Sequence, residues 1–522
     1  MQASWVQTVL APLADQPVKA GITGQQLSFS AVCTDSRHVV PGALFVALRG
    51  ERFDGHAFVA RALAAGATGL VVQRETPVAP EADQVPCWRV PDTLQALRTL
   101  AAAWRRRFSL SVVAVAGSVG KSSTKEVLAA LVRADGRCVL ATRGSENGYL
   151  GLALTALRLR PQHEVAVIEI GIDAPGAMQE HLSWLQPQYA VLTPLGEEHL
   201  EALGSLEQVY REQCRLPHDV LARGGVAVLL GGDVELRHGF HRASGVRWCD
   251  WRSTAEAAQP KAHIRAATAG DLTGHYDPET HRLCLEGMGL DDLCLTPPGP
   301  GAHSALNLLL ATCMARALGI PPAAITRGAA AVPPLAGRGE VHHLPRQVTL
   351  LFDAYNANPG SMRAALAWAA QQRRAAQAPA HMPQPAPEAA HDGPRRLWLV
   401  LGDMLELGAQ SQALHRALVA AVLQAQPDAV LLVGTEMQAL AAVLQTAHFA
   451  GQLRHVAATE VDGLAAHLAT ELQVGDVVLL KASRALRFER ISAALPVALQ
   501  ATAMTTAAQS LVAAVPDGDA SA

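Results

Sequence analysis

The sequence predicts an α/β protein of three domains, and three observations predict it. Short apolar, β-branched runs recur along the chain and alternate with helix-like stretches, the pattern of parallel sheets covered by helices. At 522 residues the chain is too long for one core and fits about three domains of roughly 100–200 residues each. A glycine-rich loop carrying a lysine follows directly on one of the apolar runs, at 117–123. We read a small α/β N-terminal domain over 1–108 and a central P-loop-type parallel-sheet ATPase domain over 109–318. A C-terminal Rossmann-like α/β domain follows over 319–500, then a loose tail over 501–522.

The elements follow in order. Between about 30 and 90 short strands and helices mix, at 43–48, 56–65 and 69–73, before a helix-like stretch at 92–107. That stretch closes in Arg105-Arg106-Arg107, read as a solvated helix end at a domain boundary. The central domain opens with the apolar run 111–116, a buried strand by its length and branching. Further strands are expected at 165–170, 189–193 and 226–230, and some antiparallel strands within 233–296. A helix at 302–318 stops at Gly319-Ile320-Pro321-Pro322. The last domain shows strands at 348–352, 397–401, 429–433 and 477–480. Its low-complexity stretch at 375–394, rich in Ala, Pro, Gln and His, reads as a disordered insertion.

Composition excludes several classes. Half of the residues are apolar and only 4% aromatic, so the cores rest on Ala, Leu and Val, as in helix-covered parallel sheets. Net charge is −3 with both signs interspersed, which leaves no footprint for nucleic acid or an anionic membrane. The N-terminus lacks the basic start and apolar run of a signal peptide, and no apolar stretch has the length of a membrane span. The eight cysteines are scattered and never form CxxC, a pattern expected of reduced thiols rather than disulfides or a zinc site. The chain is thus expected to be a cytoplasmic enzyme.

The chemistry begins at Gly117-Ser118-Val119-Gly120-Lys121-Ser122-Ser123, with a strand before it and a helix at 122–133 after it. That context is what a phosphate loop needs. Glycines let backbone N–H groups turn toward the phosphates, the helix start adds partial positive charge, and Lys121 adds a full one. Ser122 is placed to offer its hydroxyl to Mg2+. The longer P-loop pattern asks for glycine at position 115, where this chain has Val115.

With Ser123-Thr124-Lys125-Glu126 after this shorter loop, the sequence resembles the Mur ligase family, over about 31–495. In the N-terminal domain Thr34-Asp35-Ser36-Arg37, Pro41-Gly42, Leu44-Phe45-Val46-Ala47 and Asp54-Gly55-His56 match in order and spacing. The resemblance implies that this domain holds a UDP-linked precursor, with Ser36 and Arg37 at it. In the central domain it makes Glu169, in Ile168-Glu169-Ile170-Gly171, and His199, in Glu198-His199-Leu200-Glu201, metal ligands beside Ser122. It also brings Asn307 to the adenine. In the C-terminal domain it implies that Arg338 approaches the ATP phosphates and Asp353 the ribose. Tyr355, Asn356, Asn358, Lys481, Ser483 and Arg484 then fall on the side of the incoming amine. Leu401-Gly402-Asp403-Met404-Leu405-Glu406-Leu407-Gly408, with His415 beyond, matches as well.

The implied reaction is ATP-dependent amide formation through an acyl phosphate, with Lys121, His199 and Arg338 catalytic and ATP and Mg2+ as cofactors. The implied partners are small molecules, a UDP-N-acetylmuramoyl-tripeptide and D-alanyl-D-alanine, in peptidoglycan precursor synthesis, with the protein a monomer. The central domain departs from the family pattern. Asn147-Gly148-Tyr149-Leu150-Gly151 replaces Asn-Asn before Ile-Gly, and Asp173-Ala174 replaces Asn-His. Gln213 stands where the family has a carbamylated lysine that binds a second Mg2+. A glutamine cannot carry a carbamate; its amide oxygen is expected to bind Mg2+ more weakly, with Glu212 or Glu198 compensating. These departures keep two other readings open: a Mur-like ligase acting on other substrates in a specialised pathway, and a non-catalytic homologue.

Overall fold

In the computed structural model, which describes residues 1–14, 27–50, 53–77, 82, 84–253, 270–377 and 395–513, the apolar runs form three separate sheets, one to each domain. The N-terminal sheet has four parallel strands, in the order Val32–Cys33, Leu44–Val46, Gly69–Gln73 and Cys87–Val90. The helix Thr93–Arg105 follows, started by the Asp92 carboxylate, which accepts from the N–H groups of Leu94 and Gln95. Such a cap satisfies donors that a helix start leaves unpaired.

The central sheet has nine strands. From one edge they run Cys294–Leu295, Arg282–Glu286, Leu272–Asp277, Val246–Ser253, Val226–Leu230, Tyr189–Leu192, Ser111–Ala116, Val165–Glu169 and Val139–Ala141. Alternate residues of Ser111–Ala116 feed opposite faces. Val112, Ala114 and Ala116 join one core, while Val113 and Val115 join the other, beneath the helices Lys121–Ala134 and Gly301–Ala317. This explains the unbroken apolar run, since a strand covered on both sides has no polar face. Within 233–296 the strand Val246–Ser253 pairs in parallel with Leu272–Asp277, and the two strands after it are antiparallel.

The C-terminal sheet has six strands, ordered Glu340–His343, Thr349–Phe352, Val477–Lys481, Leu397–Gly402, Ala429–Val433 and Gln452–Val456. All neighbours are parallel except the first pair. One core runs without a break from the central sheet into this one, through Leu351, Met362 and Trp368. A second joins the N-terminal sheet to the central helix Tyr149–Leu157, through Ala153, Ala156 and Leu157.

The structure corrects three expectations. Arg105, read with Arg106 and Arg107 as a solvated helix end, is buried, and its guanidinium donates to the carbonyls of Leu185 at 3.1 Å and Phe108 at 2.9 Å. Cys284 and Cys294 form a disulfide, with Cα atoms 4.0 Å apart. They lie opposite each other on neighbouring antiparallel strands, a pairing that scattered spacing did not disclose. The helix Glu489–Ala513 also runs past the boundary at 500, through a stretch read as a loose tail. The segment's alanines, strong helix formers, favour that continuation; residues 514–522 lie outside the described residues. The helix Pro359–Gln377 reaches into the start of the expected insertion, of which 378–394 lies outside the described residues. Among the described residues no helix is long and apolar enough to cross a membrane.

Candidate functional site

Three adjacent parallel strands of the central sheet, Ser111–Ala116, Val165–Glu169 and Tyr189–Leu192, lead from their carboxyl ends into the phosphate loop, into Glu169 and into the segment of Glu198 and His199. Three adjacent parallel strands of the C-terminal sheet, Thr349–Phe352, Val477–Lys481 and Leu397–Gly402, lead into Asp353, Lys481 and Glu406. The carboxyl ends of such strands are where open α/β sheets present ligand groups. Residues from both sets line one cavity of about 850 Å³, the volume of a site for a large small-molecule ligand.

The loop folds as its glycines demand. Gly117 has φ of +124° with its Cα against Thr193, and Gly120 has φ of +89° against the Asn307 amide; a Cβ at either would collide. The backbone N–H groups of Ser118 and Val119 donate to the Pro194 carbonyl at 3.0 and 3.1 Å, and that of Gly117 donates to Gln213 Oε1 at 3.1 Å. The expectation that the whole loop offers its amides to phosphate is therefore narrowed. Those of 117–119 are engaged within the chain, and the helix's first turn, from Lys121 on, carries the N–H groups and dipole that draw an anion. Thr124 Oγ1 donates to Asn307 Oδ1 at 3.3 Å, which holds Asn307 beside the loop and on the cavity wall.

One flank of the loop is organised around Glu169. The Ser122 hydroxyl donates to Glu169 Oε1 at 2.9 Å, and Asn147 Nδ2 donates to the same oxygen at 2.7 Å. Arg338, from the start of the C-terminal domain, reaches across to donate to the hydroxyls of Ser122 and Ser145, at 3.0 and 3.1 Å. Behind them Lys125 is fully buried. Its ammonium donates to the carbonyls of Thr142, at 2.8 Å, and Gly144, and lies 3.5 Å from Glu169 Oε2. Glu169 Oε2 is buried and accepts no hydrogen bond among the described residues. An unbonded carboxylate oxygen beside a serine hydroxyl is a hard-oxygen donor set suited to Mg2+, so the residues present fit that ion.

The other flank holds Glu198 and His199. Lys121 Nζ donates to Glu198 Oε2 at 2.9 Å and to the Gly117 carbonyl at 2.5 Å. Gln213 is fully buried, and its Nε2 donates to Glu198 Oε1 at 3.0 Å. Both ends of the Gln213 amide are thus engaged, and its oxygen points to a backbone N–H, not to a metal position as the sequence suggested. Glu212, the other offered substitute, is buried beside Arg215, 3.1 Å away. His199, at φ of +50°, meets Glu406 of the C-terminal domain at 2.6 Å. Burial would lower the His199 pKa, but the Glu406 hydrogen bond and nearby carboxylates outweigh it and raise it; His199 in turn lowers that of Glu406. Among the described residues no three His, Cys, Asp or Glu side chains are gathered as a metal cluster, so Glu169 and His199 do not share such a cluster.

On the C-terminal wall Asp353 pairs with Lys481 at 2.8 Å, and Lys481 also donates to the Asn356 carbonyl at 2.8 Å. Arg338 lies 4.1 Å from the Tyr355 ring centroid and Arg484 5.4 Å from it, within the reach of cation–π attraction. Asn358 Nδ2 donates to the Ser118 carbonyl at 3.4 Å. His303, half-buried on the same cavity, has its pKa lowered by desolvation.

Most sequence-predicted residues thus share one cavity, and four do not line it. Ser483 is turned inward, its hydroxyl accepting from the Leu405 N–H at 3.0 Å. Gly117 lies behind the loop. Ser36 and Arg37 remain in the N-terminal domain, where Arg37 is bound to Asp35 at 2.7 Å. Sequence reasoning assigned no role to Lys125, Ser145, Asn147 or Glu406, although Lys125, Asn147 and Glu406 stood within quoted strings.

Comparison with known proteins follows the same division. Residues 28–105 match the model of the Mur ligase family, catalytic domain, 115–315 the Mur ligase middle domain, and 378–484 the Mur ligase, glutamate ligase domain. The chain is 32% identical to the UDP-N-acetylmuramoyl-tripeptide–D-alanyl-D-alanine ligase of Escherichia coli, over 94% of this chain and 98% of that one. It is 28% identical to the ligase of the same name from Bacillus subtilis, over 90% and 93%. A crystal structure of MurF from Acinetobacter baumannii superposes with a TM-score of 0.73 at 26% identity, covering 95% of this chain and 98% of that one. MurF ligase from Thermotoga maritima in complex with ADP shares the fold, with a TM-score of 0.69 at 24% identity, over 92% and 100%.

Proposed function

This chain belongs to the Mur ligase family, and we propose that its interdomain cavity is where ATP activates a carboxylate for attack by an amine. The protein is an ATP-dependent, ADP-forming ligase that joins D-alanyl-D-alanine to UDP-N-acetylmuramoyl-tripeptide in peptidoglycan precursor synthesis. One observation carries the placement of the chemistry. Arg338 of one domain donates to Ser122 of the other, next to Glu169 and one residue from Lys121.

A carboxylate is a poor electrophile. Transfer of the ATP γ-phosphoryl group to a carboxylate oxygen converts it to an acyl phosphate. The amine of D-alanyl-D-alanine then attacks the carbonyl carbon, phosphate leaves with the C–O electron pair, and the amine loses a proton. Negative charge builds on the transferring group, and preorganised donors lower its energy. Lys121, the first-turn amides of its helix and Arg338 are those donors. Asn307 stands where an adenine would lie, and Asp353 near a ribose. Ser122 and Glu169 would hold Mg2+, whose charge would offset that of the phosphates; His199 stands on the opposite flank. Tyr355, Asn356, Asn358, Lys481 and Arg484 form the amine side, and Ser36 and Arg37 belong to the UDP end.

Phosphate release from ATP and Mg2+ is the test, measured with UDP-N-acetylmuramoyl-tripeptide in the presence and absence of D-alanyl-D-alanine. Release that requires both, with a pentapeptide product by mass, is expected. ATP binding without turnover on this pair would reject the substrate assignment and favour another substrate pair or a non-catalytic homologue.

A further inference from the structure

We infer that Gln213 is a positioning residue of the phosphate site, acting on Lys121 through Glu198 and on the loop through Gly117. The inference rests on the reading of the cavity as an ATP site. It goes beyond that reading by giving a role to a side chain that touches no ligand.

The hydrogen bonds form a closed circuit. The Gly117 N–H donates to Gln213 Oε1 at 3.1 Å, and Gln213 Nε2 donates to Glu198 Oε1 at 3.0 Å. Lys121 Nζ donates to Glu198 Oε2 at 2.9 Å and, at 2.5 Å, to the carbonyl of Gly117, where the circuit began. Gln213 is fully buried within the helix Leu206–Ala222, so water does not compete for either end of its amide. The donor on one side and the carboxylate on the other also dictate which way the amide faces.

The residue type follows from the circuit. The position must accept from a backbone N–H and donate to a carboxylate, and an amide does both without charge. Glutamate would accept from Gly117 but repel Glu198. Leucine would leave both partners unsatisfied in a buried place. Lysine would set a donor against a donor at Gly117. Because Gln213 grips one oxygen of Glu198, that carboxylate keeps its place when Lys121 turns to an incoming phosphate. The lysine therefore moves between two fixed anionic positions rather than from a floppy one.

A charge-swap series tests this. Nucleotide affinity is measured by calorimetry with ATP and EDTA, alongside KM and kcat for ATP and D-alanyl-D-alanine and the melting temperature. Gln213→Glu is expected to lower ATP affinity about tenfold or more, while KM for the dipeptide stays put. The double variant Gln213→Glu/Glu198→Gln restores the donor and acceptor order, with the charge moved one place along the circuit, and should regain most of the loss. Should Gln213→Glu fail to fold, the double variant compared with Glu198→Gln alone carries the same test. Unchanged ATP affinity in a folded Gln213→Glu, a double variant no better than the worse single one, or equal losses in KM for both substrates would overturn the proposal. Wild-type protein that binds no ATP would instead overturn the reading of the site itself.

Discussion

Glu169 and Glu198 flank the same phosphate loop, and the chain balances their charges in opposite ways. Glu169 is backed by Lys125, a fully buried cation fixed by the carbonyls of Thr142 and Gly144 and by the Glu126 carboxylate at 3.1 Å. Glu198 is backed by the neutral Gln213 and takes its counter-charge from Lys121, whose ammonium stands in the cavity. The first carboxylate is therefore compensated before any ligand arrives. The second is compensated by the very group that phosphate oxygens also attract. A ligand anion thus competes with the protein on the Glu198 flank, whereas on the Glu169 flank it meets a finished arrangement.

The largest expected effect comes from breaking the finished flank. Lys125→Met strands Glu169 as a buried charge and should cost ~3–5 kcal/mol of stability, read by urea unfolding. Adding Glu169→Gln should return most of it; no return would show that the lysine serves Glu126, 3.1 Å away, and the Thr142 and Gly144 carbonyls rather than Glu169. On the other flank Lys121→Met should leave the fold intact and lower kcat by about 10²–10³. A similar loss of melting temperature in both lysine variants would erase the contrast between them. Arg338→Lys keeps the charge but loses the planar guanidinium, whose Nη2 reaches both hydroxyls while its face lies against the Tyr355 ring. It should cost roughly tenfold in kcat/KM for ATP with little change in stability, and an unchanged kcat/KM would remove Arg338 from the phosphate side.

What the sequence could disclose depended on how local each feature is. The phosphate loop was legible because strand, turn and helix are contiguous, and Asp353 and Lys481 because each closes a strand inside a recognisable string. Arg338 was placed at the phosphates by resemblance, but its hydroxyl partners lie 216 and 193 positions away, and no pattern along the chain names them. Gln213 read as a weakened metal ligand because its type was visible and its two partners were not. Lys125 sits on the inward side of the helix Lys121–Ala134 among apolar neighbours, where a charged residue has no periodic signature. Ser483 shows the converse failure: its string was recognised, but the side chain faces Leu405 and away from the cavity.

The hydrogen bonds from Arg338 to Ser122 and from His199 to Glu406 fasten the two walls of the cavity to each other from opposite ends. A molecule lodged between those walls is consequently also a cross-link between domains. Thermodynamic linkage then works in both directions: whatever the nucleotide adds to the closed arrangement, closure adds to the nucleotide's affinity. A second substrate that grips the C-terminal wall would share in that gain without touching the first. Order of addition, in such a molecule, is set as much by which ligand first pulls the walls together as by which pocket is open.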